Sequence, residues 1–230
     1  MAVLNFANFI KECTSEFTPV LDVKFKQKDF VHIDLSERSK AFKDLKIPSA
    51  VEMKTYIQNY VAQKKAKIAF GGYSEKRNLY KRSVIFNDDK TTSPRTIHMG
   101  LDLWCDAGTA VLAPLDGTVH SFQNNEGFGN YGPTIILEHI VDAKVFYTLY
   151  GHLTKKSIKN LAFGQIIEAG DKIGELGSPR VNGDYAPHLH FQVIEDLQGN
   201  SGDYPGVVAP EELAAYQQNC PDPNLLLKLN

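Results

Sequence analysis

Hydrophobic and polar positions repeat differently in the two halves of this chain. Over the first 90 residues, apolar side chains recur at helical spacing, in residues 4–17 and again in a run that begins near Pro48. From residue 96 onward, short alternating or apolar runs are separated by glycine-containing turns. Many short strands without intervening helices are typical of sandwiches and barrels. We therefore expect a mainly β, overall α+β protein: a compact antiparallel β-sandwich or barrel-like domain with a helical N-terminal region.

The change of pattern predicts three parts. Residues 1–90 form a helical and mixed N-terminal region with a short strand over 67–72, and an extended connection over 74–95 leads from it into the next part. Residues 91–200 form the β domain. Residues 201–230 form a C-terminal extension, whose apolar end should pack on the body because exposed leucines are unfavourable in water.

Composition narrows the classes of partner and location. The 230-residue chain is 43% hydrophobic and carries a formal net charge of −2, so we expect no nucleic-acid partner. No apolar run approaches the roughly 20 residues that span a bilayer, so we expect no membrane association. The first residues lack a secretory signal, and three widely spaced cysteines do not suggest a disulfide framework. These features predict a cytoplasmic protein.

Two strand-like segments carry polar side chains on one face. In HLHFQVI, residues 188–194, the odd-numbered positions are apolar, whereas His188, His190 and Gln192 share the other face. In IHMGLDLW, residues 97–104, His98 and Asp102 share a face on either side of Gly100, which leaves space for an ion or a substrate.

These polar faces together predict a metal site. His152, at the end of the strand-like run KVFYTLY, is a further candidate. Zinc binds histidine nitrogen and carboxylate oxygen, and three protein ligands with one open position characterise a catalytic zinc site. Both histidines of HLH lie on the same face of the strand, so the alternation of side chains does not show which of them would bind the metal. We interpret His32 and His120 as ordinary solvated or hydrogen-bonded histidines. His139 and the nearby Cys105 are interpreted as structural.

The combined pattern resembles the LytM/lysostaphin-type family of zinc metallopeptidases. Members carry His-x-x-x-Asp on one strand, His-x-His on a later strand and a histidine between them. Here these are His98-Met-Gly-Leu-Asp102, His188-Leu-His190 and His152, and the phrases GTAVLAPLDGTV and PHLHFQV also match, over about residues 95–195. The resemblance implies an antiparallel β fold with a groove over the sheet. It also implies one zinc ion per chain held by His98, Asp102 and His190, with His152 and His188 transferring protons and stabilising the oxyanion.

The flanking phrases resemble a narrower group. FGGYSEKRNLY, DYPGVV and CPDPNLLL are similar to the peptidase-like module that some bacterial proteins carry joined to a pyridoxal-phosphate aminotransferase. This resemblance implies a functional link to an aminotransferase.

The surroundings of the groove are also predicted. The loop 177–187 should form one wall, and Tyr131, Tyr150 and Tyr185 either line the groove or are ordinary strand-end aromatics. Asn78 either folds over the site, as an asparagine does in latent family members, or serves a turn.

Three functions compete at this stage. The resemblance implies a zinc-dependent metalloendopeptidase that hydrolyses bacterial cell-wall peptides, which would place the protein in the periplasm or outside the cell. A second reading is a cytosolic zinc hydrolase acting on a non-wall peptide or a small amide. The third is a non-catalytic binding or phosphocarrier module using a pair of histidines, although such a module needs no carboxylate ligand.

Overall fold

A computed structural model describes residues 5–22, 24–39, 48–86 and 93–229. The strands of this part of the chain are β1 (Phe30–His32), β2 (Ile68–Gly71), β3 (Glu75–Lys76), β4 (Ile97–His98), β5 (Leu101–Trp104), β6 (Ala110–Leu112), β7 (Gly117–Asn125), β8 (Gly132–Val141), β9 (Lys144–Gly151), β10 (Ile166–Ile167), β11 (Lys172–Glu175), β12 (His188–Ile194) and β13 (Val207–Val208). Its α-helices are α1 (Phe6–Glu12), α2 (Ala50–Gln63), α3 (Leu213–Asn219) and α4 (Asn224–Leu227). This inventory confirms the expected mainly β, α+β class.

One eight-stranded sheet organises the molecule, in the order β1-β2-β5-β12-β9-β8-β7-β10. Its pairings are antiparallel except for β1 with β2. The HLH strand β12 lies near the centre, between β5 and β9, so the sheet buries it along its whole length. A two-stranded sheet (β11-β6) and a three-stranded sheet (β13-β4-β3) accompany the large one.

Both faces of the large sheet are covered. The predicted apolar face of β12 enters the main core, where Leu189, Phe191 and Val193 are fully buried. The opposite face carries the histidines, and at its end Ile194 packs in a second cluster with Tyr204 and Cys220 from the C-terminal extension. The polar side chains of β12 are therefore enclosed and have to find partners inside the protein.

The N-terminal region contributes helices and two strands of the large sheet. Ser49 caps α2, which buries Met53 and Ile57 as the helical spacing predicts. β2 lies inside the range 67–72 expected for a strand. Helix α1 ends at Glu12, with Cys13 as its C-cap, so it is shorter than the predicted range of 4–17. The division at residues 90 and 200 stays a prediction.

Two expectations about secondary structure were wrong, and one helix was not expected. Residues 74–95 are not one extended connection: β3 and two 3-10 turns, Asn78–Arg82 and Val84–Phe86, occupy the described part, and residues 87–92 lie outside it. The segment 97–104 is broken into β4 and β5, which join different sheets. In the C-terminal extension, the apolar end docks through Leu226 and Leu227, but helix α3 was not foreseen.

Among the described residues, no helix combines the length and the apolar character that crossing a bilayer requires.

Candidate metal and catalytic site

Three polar side chains meet where β4, β5 and β12 come together. His190 is paired directly with Asp102 across the β5–β12 ladder. The break after His98 turns the chain between β4 and β5, and it brings the His98 ring to the same point. His98, Asp102 and His190 each offer a ligand atom within 4.8 Å of the others, and they form the group that could hold a metal ion in the described chain.

The three facing atoms lie very close together. His98 Nε2 is 2.8 Å from His190 Nδ1, and these nitrogens are 3.2 Å and 3.3 Å from Asp102 Oδ1. Asp102 Oδ1 is buried without a hydrogen-bond donor in the structure. An unsatisfied buried carboxylate oxygen is costly, and a cation at this point would satisfy it.

Backbone and amide partners fix both imidazole tautomers. His98 Nδ1–H donates to the carbonyl of Gly72 at 3.0 Å, so its Nε2 carries the free lone pair. Gln192 Nε2 donates to the carbonyl of Pro205 at 3.1 Å, which turns Gln192 Oε1 toward His190 Nε2–H at 3.0 Å. His190 Nδ1 is therefore the nitrogen with a free lone pair, and both histidines present acceptors to Asp102 Oδ1.

The other oxygen of Asp102 is held by an arginine that the sequence did not single out. Arg77 Nη1 donates to Asp102 Oδ2, and Arg77 Nε donates to Glu75. Burial opposes ionisation of Asp102, but the positive charge of the Arg77 guanidinium holds the pKa of its carboxyl well below the usual value. Asp102 is thus an anion, with one oxygen committed to Arg77 and the other directed at the histidines.

His152 and His188 form a second pair beside the first group. Their ring centroids are 4.3 Å apart, and His188 Nε2 lies 3.6 Å from Asp102 Oδ1. Each Nδ1–H donates to a backbone carbonyl, of Asn182 for His152 and of Ala186 for His188, so each Nε2 is free to accept a proton. Burial lowers the pKa of both rings, to well below the usual value in His152, so both are neutral at pH 7.

The donor set fits zinc. Two neutral imidazoles and one carboxylate are ligands that zinc takes in catalytic sites. Burial lowers the pKa of His98 to about 4, which keeps its nitrogen unprotonated and able to bind a cation at neutral pH. The Gln192 and Gly72 contacts are the outer hydrogen bonds that metal-ligating histidines require.

The site lies in a pocket of about 270 Å³. Tyr131 and Tyr185 line it, which is one of the two alternatives stated for them above, and Tyr185 belongs to the loop 177–187. Tyr150 does not, because its ring is part of the main core. The pocket lining includes Arg77 and Tyr80 but not Asn78, so the structure gives no support to occlusion by this asparagine.

Several functional residues were missed, and one glycine was misread. Arg77 and Gly72 lie outside the strands that showed a polar face, and Gln192 looked like an ordinary polar position. The space beside Gly100 is filled by the His190 ring, since a Cβ atom at Gly100 would approach that ring to 2.4 Å. The space beside Gly100 is therefore occupied by the His190 side chain and not by an ion or a substrate.

The remaining histidines lie apart from this group. His139 is buried in β8, where Nδ1–H donates to the carbonyl of Asp116 at 2.7 Å. His120 lies beside Ser121, and His32 packs on Phe70. Cys13, Cys105 and Cys220 are free thiols.

Known proteins match this part of the chain. Residues 96–203 match the family model of Peptidase family M23. An uncharacterized metalloprotease of Haemophilus influenzae is 33% identical over 95 residues, which cover 41% of this chain and 18% of that protein. An L-Ala--D-Glu endopeptidase of Bacillus subtilis is 29% identical over 125 residues, covering 52% of this chain and 36% of that protein.

A solved structure is similar as well. The catalytic domain of the antimicrobial peptidase lysostaphin from Staphylococcus simulans shares 27% identity over 52% of this chain and 80% of that domain, with a TM-score of 0.35. The chain spans well under half the length of the two curated relatives it matches.

Proposed function

Since residues 96–203 match the family model of Peptidase family M23, we propose that they form a module of that family and that this protein is a zinc-dependent metalloendopeptidase that hydrolyses bacterial cell-wall peptides. The observation that carries the proposal is the convergence of two lone-pair nitrogens and an unsatisfied carboxylate oxygen on one buried point. His98, Asp102 and His190 would hold one zinc ion per chain. When bound, zinc acts as a Lewis acid that polarises a carbonyl and lowers the pKa of water.

The second histidine pair supplies the proton chemistry in this proposal. His152 and His188 hold their Nδ1–H groups in backbone bonds, so Nε2 is the atom that accepts a proton and later returns it to the leaving amine. The rings are neutral before reaction, as a general base has to be. A protonated ring beside the Asp102 carboxylate is then stabilised by its charge.

The substrate class comes from the relatives. The Bacillus subtilis relative is named for cleavage between L-Ala and D-Glu, and we extend wall peptides of that kind to this chain as a proposal. A wall substrate would place the action in the periplasm or outside the cell, which fractionation tests. The functional link to an aminotransferase is supported by the flanking phrases alone, and co-purification tests it.

The competing functions are less well supported. A phosphocarrier histidine has to reach a partner protein, whereas the site histidines are buried. His98 and His190 also lie against the Asp102 carboxylate, which a phosphocarrier does not need. A cytosolic hydrolase of non-wall peptides would use the same residues, so it differs from the leading proposal in substrate rather than in chemistry.

The test combines metal content with cleavage. Purified protein is loaded with zinc and incubated with muropeptides and with a panel of unrelated oligopeptides, with and without a chelator, and products are identified by mass spectrometry. We expect about one zinc per chain and chelator-sensitive cleavage of a muropeptide amide bond. A phosphohistidine without zinc, or cleavage confined to the unrelated peptides, would overturn the proposal.

A further inference from the structure

A segment outside the M23 module passes over the site. We call residues 77–86 the strap: it follows β3 and contains the 3-10 turns Asn78–Arg82 and Val84–Phe86. It comes from the N-terminal region, upstream of the matched residues 96–203. Any effect of the strap on the site therefore comes from residues outside the matched module.

The strap is fastened to the site at its start. Arg77 is buried and its guanidinium bridges Glu75 and Asp102. The absence of a side chain at Gly72 makes this approach possible, because a Cβ atom there would lie 2.1 Å from Arg77 Nη2.

The middle of the strap is fastened to two loops that flank the histidines. Ser83 Oγ donates to the carbonyl of Phe128 at 2.7 Å. Arg82 Nη2 donates to the carbonyl of Asp184, and its guanidinium lies 4.6 Å from the ring of Tyr185 and 4.9 Å from that of Phe128. The first loop leads to Tyr131 beside His190, and the second contains Asn182, whose carbonyl holds His152.

The strap also supplies a wall of the pocket. Tyr80 is buried and its ring stacks against His98 at 6.3 Å, and Phe86 packs on Tyr80. Leu79 continues this wall into an apolar cluster with Leu35 and Met53. Beneath this cover the five site residues are only 1% to 6% exposed. A groove that holds a long peptide has to leave its reacting groups accessible along the chain, and this site does not.

We propose that the strap restricts the enzyme to short free peptides of a few residues and excludes the same bond inside a long chain or a wall polymer. This inference rests on the proposed function and narrows its substrate. A pocket of about 270 Å³ is at the small end of ligand sites. A peptide of about 3 residues spans about 10 Å when extended, whereas one of about 12 residues spans about 40 Å.

The experiment compares one bond in two contexts. Full-length, zinc-loaded protein is given a free stem peptide of about 3 residues and a soluble peptide of about 12 residues with the same sequence at its centre. The wild-type protein should show a kcat/KM at least about tenfold higher for the short peptide. The Arg82→Ala/Ser83→Ala variant loosens the strap from both loops and should narrow that ratio at least about threefold, through faster cleavage of the long peptide.

Controls separate the possible failures. Lys81→Ala changes an exposed residue of the same turn and should behave as wild type. Ser83→Ala alone serves if the double variant does not fold, as judged by thermal unfolding. Equal wild-type rates on both peptides, or a loosened strap that accelerates both equally or leaves the ratio unchanged, would overturn this inference while the proposed function stands. If neither the wild-type protein nor any variant cleaves either peptide, the proposed function fails and this inference fails with it.

Discussion

Each ring nitrogen at the site has its role set by a neighbour. The carbonyls of Asn182 and Ala186 hold the Nδ1–H groups of His152 and His188, which leaves Nε2 for proton transfer. His152 also has a left-handed backbone, with φ of 64°, an uncommon conformation that the surrounding structure has to stabilise. These two histidines can therefore act on protons without being needed to bind the metal.

Replacing either of these histidines separates chemistry from metal binding. We expect His152→Ala and His188→Ala each to lower cleavage at least about 100-fold, because general acid–base catalysis contributes that much or more. Zinc content, measured by atomic absorption, should stay close to that of wild type. His120→Ala, at a half-buried histidine away from the site, should change neither property. Zinc lost in step with activity in both variants would contradict this division of roles.

Gln192 sets the tautomer of His190, a candidate metal ligand, through the ring nitrogen that faces away from Asp102. Gln192→Leu removes the acceptor for His190 Nε2–H, so the ring can protonate at Nδ1 and lose its free lone pair toward Asp102. Loss of such an outer partner typically weakens metal affinity about 10- to 100-fold. Competition with a chelator measures this, with Gln217→Leu, at an exposed glutamine, as the matched control. Unchanged affinity would show that another contact fixes the ring.

Arg77 balances the buried carboxylate of Asp102 and the partly buried carboxylate of Glu75. Arg77→Met leaves both Glu75 and Asp102 without their cation, and breaking a buried ion pair in this way typically costs about 3 to 5 kcal/mol. Urea unfolding of the metal-free protein should show that loss. The double variant Arg77→Met/Glu75→Gln should recover part of it, because one of the uncompensated charges is then removed. A single variant as stable as wild type would mean that solvent reaches these carboxylates.

At the scale of elements, local sequence signals determine where α2 begins. Ser49 Oγ accepts from Glu52 N–H at 3.3 Å, and Glu52 accepts from Ser49 N–H at 2.8 Å, so the two residues satisfy each other's backbone donors. The helix then carries Met53 to the wall of the pocket.

Removing this cap should loosen the helix. Ser49→Ala should lower the free energy of unfolding by about 1 kcal/mol, since the first turn loses a hydrogen-bond acceptor. Gln58→Ala, at an exposed position within the same helix, should change it by less than about 0.5 kcal/mol. Chemical denaturation measures both. Equal effects would assign the loss to helix propensity in general and not to the cap.

At the scale of the whole molecule, buried neutral histidines link stability to pH. Burial lowers the pKa of His98 to about 4 and lowers those of His139, His152 and His188 as well. Below about pH 6.5 the unfolded chain takes up protons on these residues, whereas the folded chain does not. Protonation therefore favours the unfolded state, and stability is lost as the pH falls from about 6.5 toward 4.

Denaturation of the metal-free protein across this range tests the linkage. We expect the free energy of unfolding to fall by about 3 kcal/mol or more between pH 7 and pH 4. Burial raises the carboxyl pKa values of Asp203 and Asp222, and these two groups oppose this change because the folded protein binds their protons more readily. His139→Gln, remote from the metal ligands, should make the dependence shallower. A flat profile for wild type would contradict burial of these rings in the neutral form.

Much of the fold and of the candidate site could be predicted from the sequence, because strand alternation and helical spacing are local patterns. Alternation along HLHFQVI determined which residues of β12 enter the core, and helical spacing located α2. The ligand types were visible as well, since His98, Asp102, His188 and His190 stood on polar faces of apolar strands. Composition and periodicity report such properties because each depends on residues only a few positions apart.

The tertiary structure decided what depends on distant residues. Parity left His188 and His190 equivalent, and the structure distinguishes them through the Gln192 contact to Pro205 and the ladder to Asp102. The His190 ring beside Gly100 and the bridge from Arg77 to Asp102 each join segments far apart in the chain, and β4 and β5 are separated because each pairs with strands of a different sheet. No local pattern encodes such contacts, because they form only when the packed sheet brings those segments together.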